Sequence, residues 1–180
     1  MGSRNDWLRL DERALLAMCR EERYRASGPG GQRRNKVETA VRLRHEPTGV
    51  SVHADEARSR EQNRRRAVRR LRLRLALELR EPFDLAAPAA PPELVACRRD
   101  GRLEIAPRNP TYPVVAATVL DALDAAQGSY ALAARALGLT TSQLLRFLRS
   151  DSHLWAAAER IRNRHEPRVG DRGPGPGADR

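Results

Sequence analysis

The spacing of apolar and polar residues predicts a mixture of helix and strand in the first half of the chain. Residues 11–19 fit a short helix with Asp11 as its N-cap. Apolar and polar residues then alternate over residues 39–45 and again over residues 50–53, with the period of a half-buried strand. Because the intervening Pro-Thr-Gly at 47–49 has turn chemistry, the two segments predict a β-hairpin.

A longer helix is predicted over residues 59–80. Every residue there is compatible with a helix, and the larger apolar residues fall on one side of it: Val68, Leu71, Leu75 and Leu79. Residues 71–79 also alternate with the period of a strand. They lack β-branched residues and continue a helical run, so we favour the helix.

The second half of the chain predicts a linker, a small hairpin and a helical segment. Prolines and alanines at 81–92 indicate a stiff linker rather than core. Apolar stretches at 94–97 and 103–106 flank Arg-Asp-Gly at 99–101, which predicts a second small hairpin. Four helices are then predicted, at 114–126, 129–137, 141–148 and 154–164. The tail from residue 167 is too rich in Gly, Pro and charge to fold alone.

The net charge of +11 comes almost entirely from one third of the chain. Residues 20–80 carry 18 basic and 8 acidic side chains, and Lys36 is the single lysine of the protein. A bias of the whole composition towards arginine would explain the scarcity of lysine, but it would not explain the clustering. Arginine binds phosphate through a planar, bidentate group, so the charge predicts a densely anionic partner.

Several classes of protein are excluded by the sequence. No apolar run approaches the ~20 residues of a membrane-spanning helix, and no signal peptide is visible at the N-terminus. Cys19 and Cys97 are too far apart for a zinc-ligand spacing, and His45 and His53 have no ligand partners at suitable spacing. We therefore expect a monomeric cytoplasmic protein with reduced cysteines, without a metal or cofactor and without membrane contact.

The loop at residues 27–35 is the chemical centre of the sequence. Its three glycines and one proline exclude regular structure. Gly30 and Gly31 lack side chains, so the backbone N–H groups there can approach a substrate closely. Gln32 adds a neutral amide that both donates and accepts hydrogen bonds.

The motifs around this loop resemble a known family. SGPGGQ at 27–32, NK at 35–36, ETAVRL at 38–43, PTG at 47–49, RS at 58–59 and NR at 63–64 occur in order, together with His45. This block, from about residue 24 to residue 79, resembles the catalytic Gly-Gly-Gln (GGQ) domain of class I bacterial peptide chain release factors and their short ribosome-rescue relatives. The resemblance implies a small α+β domain that hydrolyses the ester of peptidyl-tRNA on the ribosome, with Gly30, Gly31 and Gln32 as catalytic residues.

Departures from the family narrow this expectation. Neither of the stop-codon recognition tripeptides, Pro-x-Thr and Ser-Pro-Phe, occurs in the sequence, so stop-codon reading is not expected. Arg33 and Arg34 stand where the family commonly has His-Val. The tail lacks the strong basic charge with which rescue relatives enter the mRNA channel. The nearest type is therefore a release-factor-like protein without a codon-recognition domain.

Basic residues in and after the loop are candidate contacts to ribosomal RNA phosphates. These are Arg33, Arg34, Lys36, Arg58, Arg60, Arg64, Arg65 and Arg69. The alternative is a solvated basic face on the helix, with Ser59 acting only as its N-cap.

Residues 130–148 have a pattern typical of a helix-turn-helix. Ala134 lets two helices touch, Gly138 opens the turn, and Leu144 and Phe147 anchor the second helix. Contact with RNA or with a ribosomal protein, a purely structural role and DNA binding all remain open. The net charge of +2 over residues 111–165 is low for duplex DNA. An alternative function is a regulatory protein that binds the ribosome or nucleic acid through this part, without hydrolysis.

The predicted architecture is α+β, with a small GGQ domain followed by a helical, helix-turn-helix-like module. The expected boundaries are 1–82 for the GGQ domain, 83–110 for the linker and hairpin, 111–165 for the helical module and 166–180 for a disordered tail.

Overall fold

The computed structural model describes residues 2–24, 39–100 and 102–166. The predicted catalytic loop and the predicted disordered tail lie outside these ranges, apart from Glu166 at the start of the tail. The side chains of Arg23 and Tyr24 are also outside the description.

The first half folds as a three-stranded antiparallel sheet with a long helix on one side. Strand β2 is central, between β1 and β3. The elements are α1 (Arg4–Arg9), α2 (Glu12–Ala17), β1 (Cys19–Tyr24), β2 (Ala40–His45), β3 (Ser51–Ala54) and α3 (Arg60–Glu78). This arrangement confirms the predicted hairpin, the predicted long helix and the α+β class.

Packing between the sheet and α3 follows from the two periodicities. Alternate strand residues Val41, Leu43 and Val52 are buried on the face towards α3. On the helix, Leu71 and Leu75 are fully buried against them. Residues 71–78, which also alternate with the period of a strand, are therefore helical, and their buried leucines cover one face of the sheet.

Two elements of the first half have no clear sequence signal. Helix α1 is too short to show a periodicity, although Ser3 and Asp6 form a capping box at its start. Strand β1 is almost wholly polar and exists because it pairs with β2 along its full length. The helix predicted over residues 11–19 ends earlier, at Ala17: Cys19 begins β1, lies partly buried against the core, and burial raises its pKa to about 11.

The second half contains the four predicted helices, with ends that differ from the prediction by at most two residues. Its elements are α4 (Pro92–Cys97), β4 (Arg98–Arg99), β5 (Arg102–Leu103), α5 (Tyr112–Ala125), α6 (Tyr130–Ala136), α7 (Thr141–Arg149) and α8 (Ser152–His165). Helix α5 is central, with twelve of its fourteen residues buried. No helix in the described ranges is long and apolar enough to cross a membrane.

The segment predicted as the first arm of the second hairpin is instead helix α4. Pro91 is its N-cap and Pro92 its first residue, where a missing N–H costs nothing. The hairpin is consequently only two residues long on each side. The predicted linker also contributes to packing, since Phe83 and Leu85 lie partly buried against the helical cluster.

Helix α5 joins the two halves. Val114 and Ala117 belong to the hydrophobic cluster of the sheet and α3, whereas Val115, Val119 and the remaining core residues of α5 belong to the helical cluster. One helix therefore supplies apolar side chains to both cores.

A buried ion pair lies at the same junction. The guanidinium of Arg4 on α1 donates to both carboxylate oxygens of Asp121 on α5, at 2.8 and 2.6 Å. Their side chains are only 2% and 5% exposed. Arg4 also donates to the carbonyl oxygen of Leu79, and the backbone N–H of Glu81 donates to Asp121 at 3.1 Å. The pair thus connects the N-terminus, the end of α3 and α5.

Arg80 brings a second guanidinium to this carboxylate, with its Nη1 atom 3.4 Å from Oδ1 of Asp121. Burial lowers the pKa of Arg80 to about 10, against the opposing effect of Asp121. Glu81 adds a longer ion pair to Arg4, at 3.7 Å, but only Asp121 contacts both guanidinium groups, so the network depends on Asp121 more than on either cation.

We expect Asp121→Ala to destabilise the protein by about 3–5 kcal/mol, because it removes the ion pair of Arg80 and leaves the buried Arg4 with only the longer contact to Glu81, at 3.7 Å. Arg4→Ala should cost less, since Arg80 still neutralises Asp121. The measurement is the free energy of unfolding in urea.

Asp124→Ala is the matched control on the same helix, because Asp124 contacts Arg164 and His165 only at the surface. That substitution should cost less than about 1 kcal/mol. Equal losses for the two aspartates would contradict a central role for the buried pair.

Candidate functional site

The base of the predicted catalytic loop is formed by two paired strands. The last pairing between β1 and β2 joins Tyr24 to Ala40. The chain therefore leaves and re-enters the sheet at one end of the same strand pair. Gly30, Gly31, Gln32, Arg33, Arg34 and Lys36 all lie beyond this pairing, outside the described residues, and their roles stay predictions.

Asn63 is fully buried in the first turn of α3. Its hydrogen bonds hold the backbone at Thr39, where the chain returns from the loop to β2. Its Nδ2 group donates to the carbonyl oxygens of Thr39 and Ala57, both at 2.9 Å. Its Oδ1 atom accepts from the backbone N–H of Ala57 at 2.8 Å. One amide side chain thus holds the residue before β2, the residues before α3 and α3 itself in one arrangement.

Glu21 fixes the other side of the loop base. It lies on β1 opposite Leu43, facing α3, and forms ion pairs with Arg60 and Arg64 at the start of that helix. Burial alone would raise the pKa of Glu21, but the hydrogen bonds and charges of the two arginines outweigh it and lower the pKa below its ordinary value of 4.5.

These contacts change the interpretation of the predicted RNA-binding arginines. Arg60 and Arg64 are already paired with Glu21, and Arg65 is 3.3 Å from Glu61 one turn before it. Arg58 and Arg69 are exposed and have no ion pair with the described residues. Ser59 is the N-cap of α3, as the sequence suggested. Arg58 and Arg69 are therefore the most available cations of this group.

His45 has a structural environment. It is fully buried, its Nδ1 atom lies 2.8 Å from the hydroxyl of Thr48, and its ring packs edge-on against Trp7. Burial lowers its pKa, which favours the neutral imidazole. No cluster of three or more metal-ligating side chains occurs among the residues described.

Helices α6 and α7 are joined by residues 137–140. Gly138 has a φ of +66°, and the N–H of Leu139 donates to the carbonyl of Ala134, which ends α6 with a left-handed cap. Thr140 and Gln143 form a capping box at the start of α7. The side chains of Thr140 and Gln143 are thus engaged with the helix backbone. A nucleic-acid-binding helix-turn-helix stays a prediction.

We expect Asn63→Asp to destabilise the protein by about 2 kcal/mol or more in urea unfolding at pH 7. The new carboxylate would lose two donated hydrogen bonds and face two carbonyl oxygens. Gln62→Glu, the same change at the exposed neighbouring position, is the control and should have little effect. A similar small effect at both positions would show that Asn63 does not hold the loop base.

We expect Glu21→Gln to destabilise the protein at pH 7 and to destabilise it progressively less as the pH is lowered below 4.5 to 3.5. The folded-state pKa of Glu21 is lowered, so its contribution is present above pH 4.5 and is lost as the pH falls through the folded-state pKa. Urea unfolding of both proteins at the two pH values measures the difference.

Glu22→Gln is the control for this titration, because Glu22 is more exposed and its ion pairs are longer, at 3.7 and 3.8 Å. A difference between wild type and Glu21→Gln that is constant with pH would exclude the ionised pair as its source.

Comparison with known proteins identifies the first part of the chain. Residues 16–89 match the RF-1 domain. An uncharacterised mitochondrial peptide chain release factor-like protein of Saccharomyces cerevisiae is 51% identical over 71 residues, 39% of this chain and 43% of that protein. Peptide chain release factor 2 of Paramagnetospirillum magneticum is 54% identical over 57 residues, 32% of this chain and 15% of its own length.

Peptide chain release factor 1 of Chloroherpeton thalassium is 49% identical over 67 residues, 34% of this chain and 19% of that factor. The chain therefore spans less than half the length of each of these relatives. No solved structure matched it. The match covers the sheet, α3 and the segment that contains Gly-Gly-Gln, so residues 16–89 of this chain are an RF-1 domain that is similar to the class I peptide chain release factors.

Proposed function

We propose that this protein is a ribosome-dependent peptidyl-tRNA hydrolase that acts without reading a stop codon, on stalled or damaged translation complexes. The observation that carries the proposal is the RF-1 match over residues 16–89, since this range includes Gly30, Gly31 and Gln32. The antiparallel pairing of β1 and β2 up to Tyr24 and Ala40 supports it, because the two ends of the loop are held together.

Hydrolysis of the peptidyl-tRNA ester requires few chemical groups from the loop. Water attacks the ester carbon of peptidyl-tRNA, and the negative charge that develops on the carbonyl oxygen needs a hydrogen-bond donor. One well-placed donor accelerates such a step by roughly 10² to 10³. The backbone N–H of Gln32 is that donor, Gly30 and Gly31 set its direction, and the Gln32 side chain shapes the water site. The ribosome and the tRNA supply the remaining groups.

Rigid support of the loop base favours this mechanism. A donor stabilises a transition state only when it is oriented before the reaction. The contacts of Asn63 with Thr39 and of Glu21 with Arg60 and Arg64 hold both strands against α3. Of the predicted RNA-binding residues that the structure describes, these ion pairs leave Arg58 and Arg69 most available to ribosomal RNA. Arg33, Arg34 and Lys36 of the loop are further contacts to RNA phosphates in this proposal.

Two features favour action without a stop codon. Neither recognition tripeptide occurs in the printed sequence. The residues after the RF-1 match form a helical unit that packs on α3 through α5 and α8. In this proposal the helical unit docks on the ribosome through RNA or a ribosomal protein.

A second function is favoured by one observation, the turn at Gly138 between α6 and α7. In that case the helix pair binds nucleic acid in a regulatory role, and the RF-1 domain serves only for docking. Peptide release by the purified protein distinguishes the two functions, because the second requires none.

We expect Gln32→Pro to abolish peptide release, because proline has no N–H to donate. Gln32→Ala keeps the N–H and should retain more activity. The measurement is release of a labelled peptide from purified ribosomes programmed with truncated mRNA, with mRNA lacking a stop codon and with stop-programmed mRNA.

The proposal expects release on truncated mRNA that a stop codon does not increase. Equal loss of activity in both Gln32 variants would contradict the backbone role. Absence of release by the wild-type protein on every template, while it still binds ribosomes, would favour the docking function.

A further inference from the structure

The face of the sheet that α3 does not cover is exposed and basic. Arg42 and Arg44 on β2 point away from the core and lie beside His53 and Ser51 of β3 in the strand register. A shallow cavity of about 290 Å³ follows this face. Arg44 is exposed and has no ion pair with the described residues.

A second cavity, of about 490 Å³, lies on the other side of β3, between α3 and α8. Leu73 and Leu77 of α3 and Val52 of β3 form its apolar floor, and Arg160 and His153 of α8 stand at its edge. The RF-1 domain and the helical unit each contribute one wall.

The two cavities adjoin at β3, because Val52 and His53 line both of them. We call this joined surface the β3 groove. It runs from the outer sheet face across β3 to α8. Together the two cavities are lined by five arginines and two histidines against three glutamates, so the groove is positively charged.

The free edge of β3 is not open to pairing with another strand. Arg70 and Arg74 of α3 reach its outward carbonyl groups, donating to His53 at 2.6 Å and to Ser51 at 3.3 Å. A ligand of the β3 groove must therefore be recognised by side chains rather than by strand addition.

We propose that the β3 groove binds a single strand of RNA. This inference rests on the proposed function, which places the protein among ribosomal and transfer RNA. The arginines contact phosphates, while the imidazole rings and guanidinium planes offer surfaces on which bases stack beside the apolar floor. An acidic polypeptide would match the charge of the groove, but its carboxylates pair with guanidinium groups edge-on and do not stack on these surfaces as nucleic-acid bases do.

Arg44 and Arg160 give the sharpest test, because they mark the two ends of the β3 groove. Neither has an ion pair with any described residue, so neutralising them leaves no carboxylate unpaired. The probe is a fluorescein-labelled decauridylate RNA, and its binding to the full chain is measured by fluorescence anisotropy over a series of KCl concentrations. The variant is the double substitution Arg44→Gln and Arg160→Gln.

Arg13→Gln with Arg108→Gln is the matched control. Both residues are exposed, lie outside the groove, and have no ion pair in the described part of the chain, and the change in net charge is the same. Urea unfolding midpoints of both variants check that the fold is unchanged.

The groove variant should bind the RNA at least about fivefold more weakly at low salt, as expected for the loss of exposed charge contacts. Its slope of log affinity against log salt should fall by about 1.4, since each phosphate contact to a single strand contributes about 0.7. The control should keep the wild-type slope. Equal losses in both variants, or none in either, would overturn the proposal.

Poly-L-glutamate is added as a competitor at matched charge concentration. Competition as strong as that of unlabelled RNA would also overturn the proposal, because it would make the groove a site for acidic polypeptides.

The experiments distinguish failure of this inference from failure of the proposed function. If the protein releases peptide but its RNA binding does not depend on Arg44 and Arg160, only the groove proposal is wrong. If RNA binding depends on these two residues but no peptide is released, only the proposed hydrolase function is wrong.

Discussion

The buried ion pair between Arg4 and Asp121 is the constraint on which the arrangement of this protein depends. Its two side chains are almost completely removed from water, so each charge needs its partner to remain ionised at acceptable cost. The pair joins α1 to α5 and holds the end of α3 through Leu79. Because a buried charge without its partner is costly, the helical unit has one well-defined position against the RF-1 domain.

That position determines what the RF-1 domain can offer to RNA. Helix α8 lies beside α3 and β3, which turns an exposed sheet face into the β3 groove. The arginines of α3 are divided between two tasks. Some, such as Arg64 and Arg70, hold strands and carboxylates in place, and others, such as Arg69, remain at the surface. A count of basic residues therefore overstates the charge available to a phosphate backbone.

Much of the fold could be predicted from periodicity, because a period of two or of 3.6 follows from backbone geometry alone. The alternation of Val41 and Leu43 predicts the central strand, and the spacing of Leu71 and Leu75 predicts α3. Strand β1 could not be predicted, because its polar sequence becomes a strand only by pairing with β2. Helix α4 was assigned to a hairpin because its apolar run is too short to show which period it follows.

The sequence by itself determined the family resemblance of residues 16–89 and the chemistry that we propose for them, because the Gly-Gly-Gln segment and its neighbouring motifs are local. Tertiary structure alone decided the burial of Arg4 with Asp121, which lie 117 positions apart, the anchoring of Thr39 by Asn63, and the joining of the sheet face to α8. The physical reason is that desolvation and ion pairing depend on which surfaces come into contact in the folded protein. The periodicity of a sequence does not contain that information.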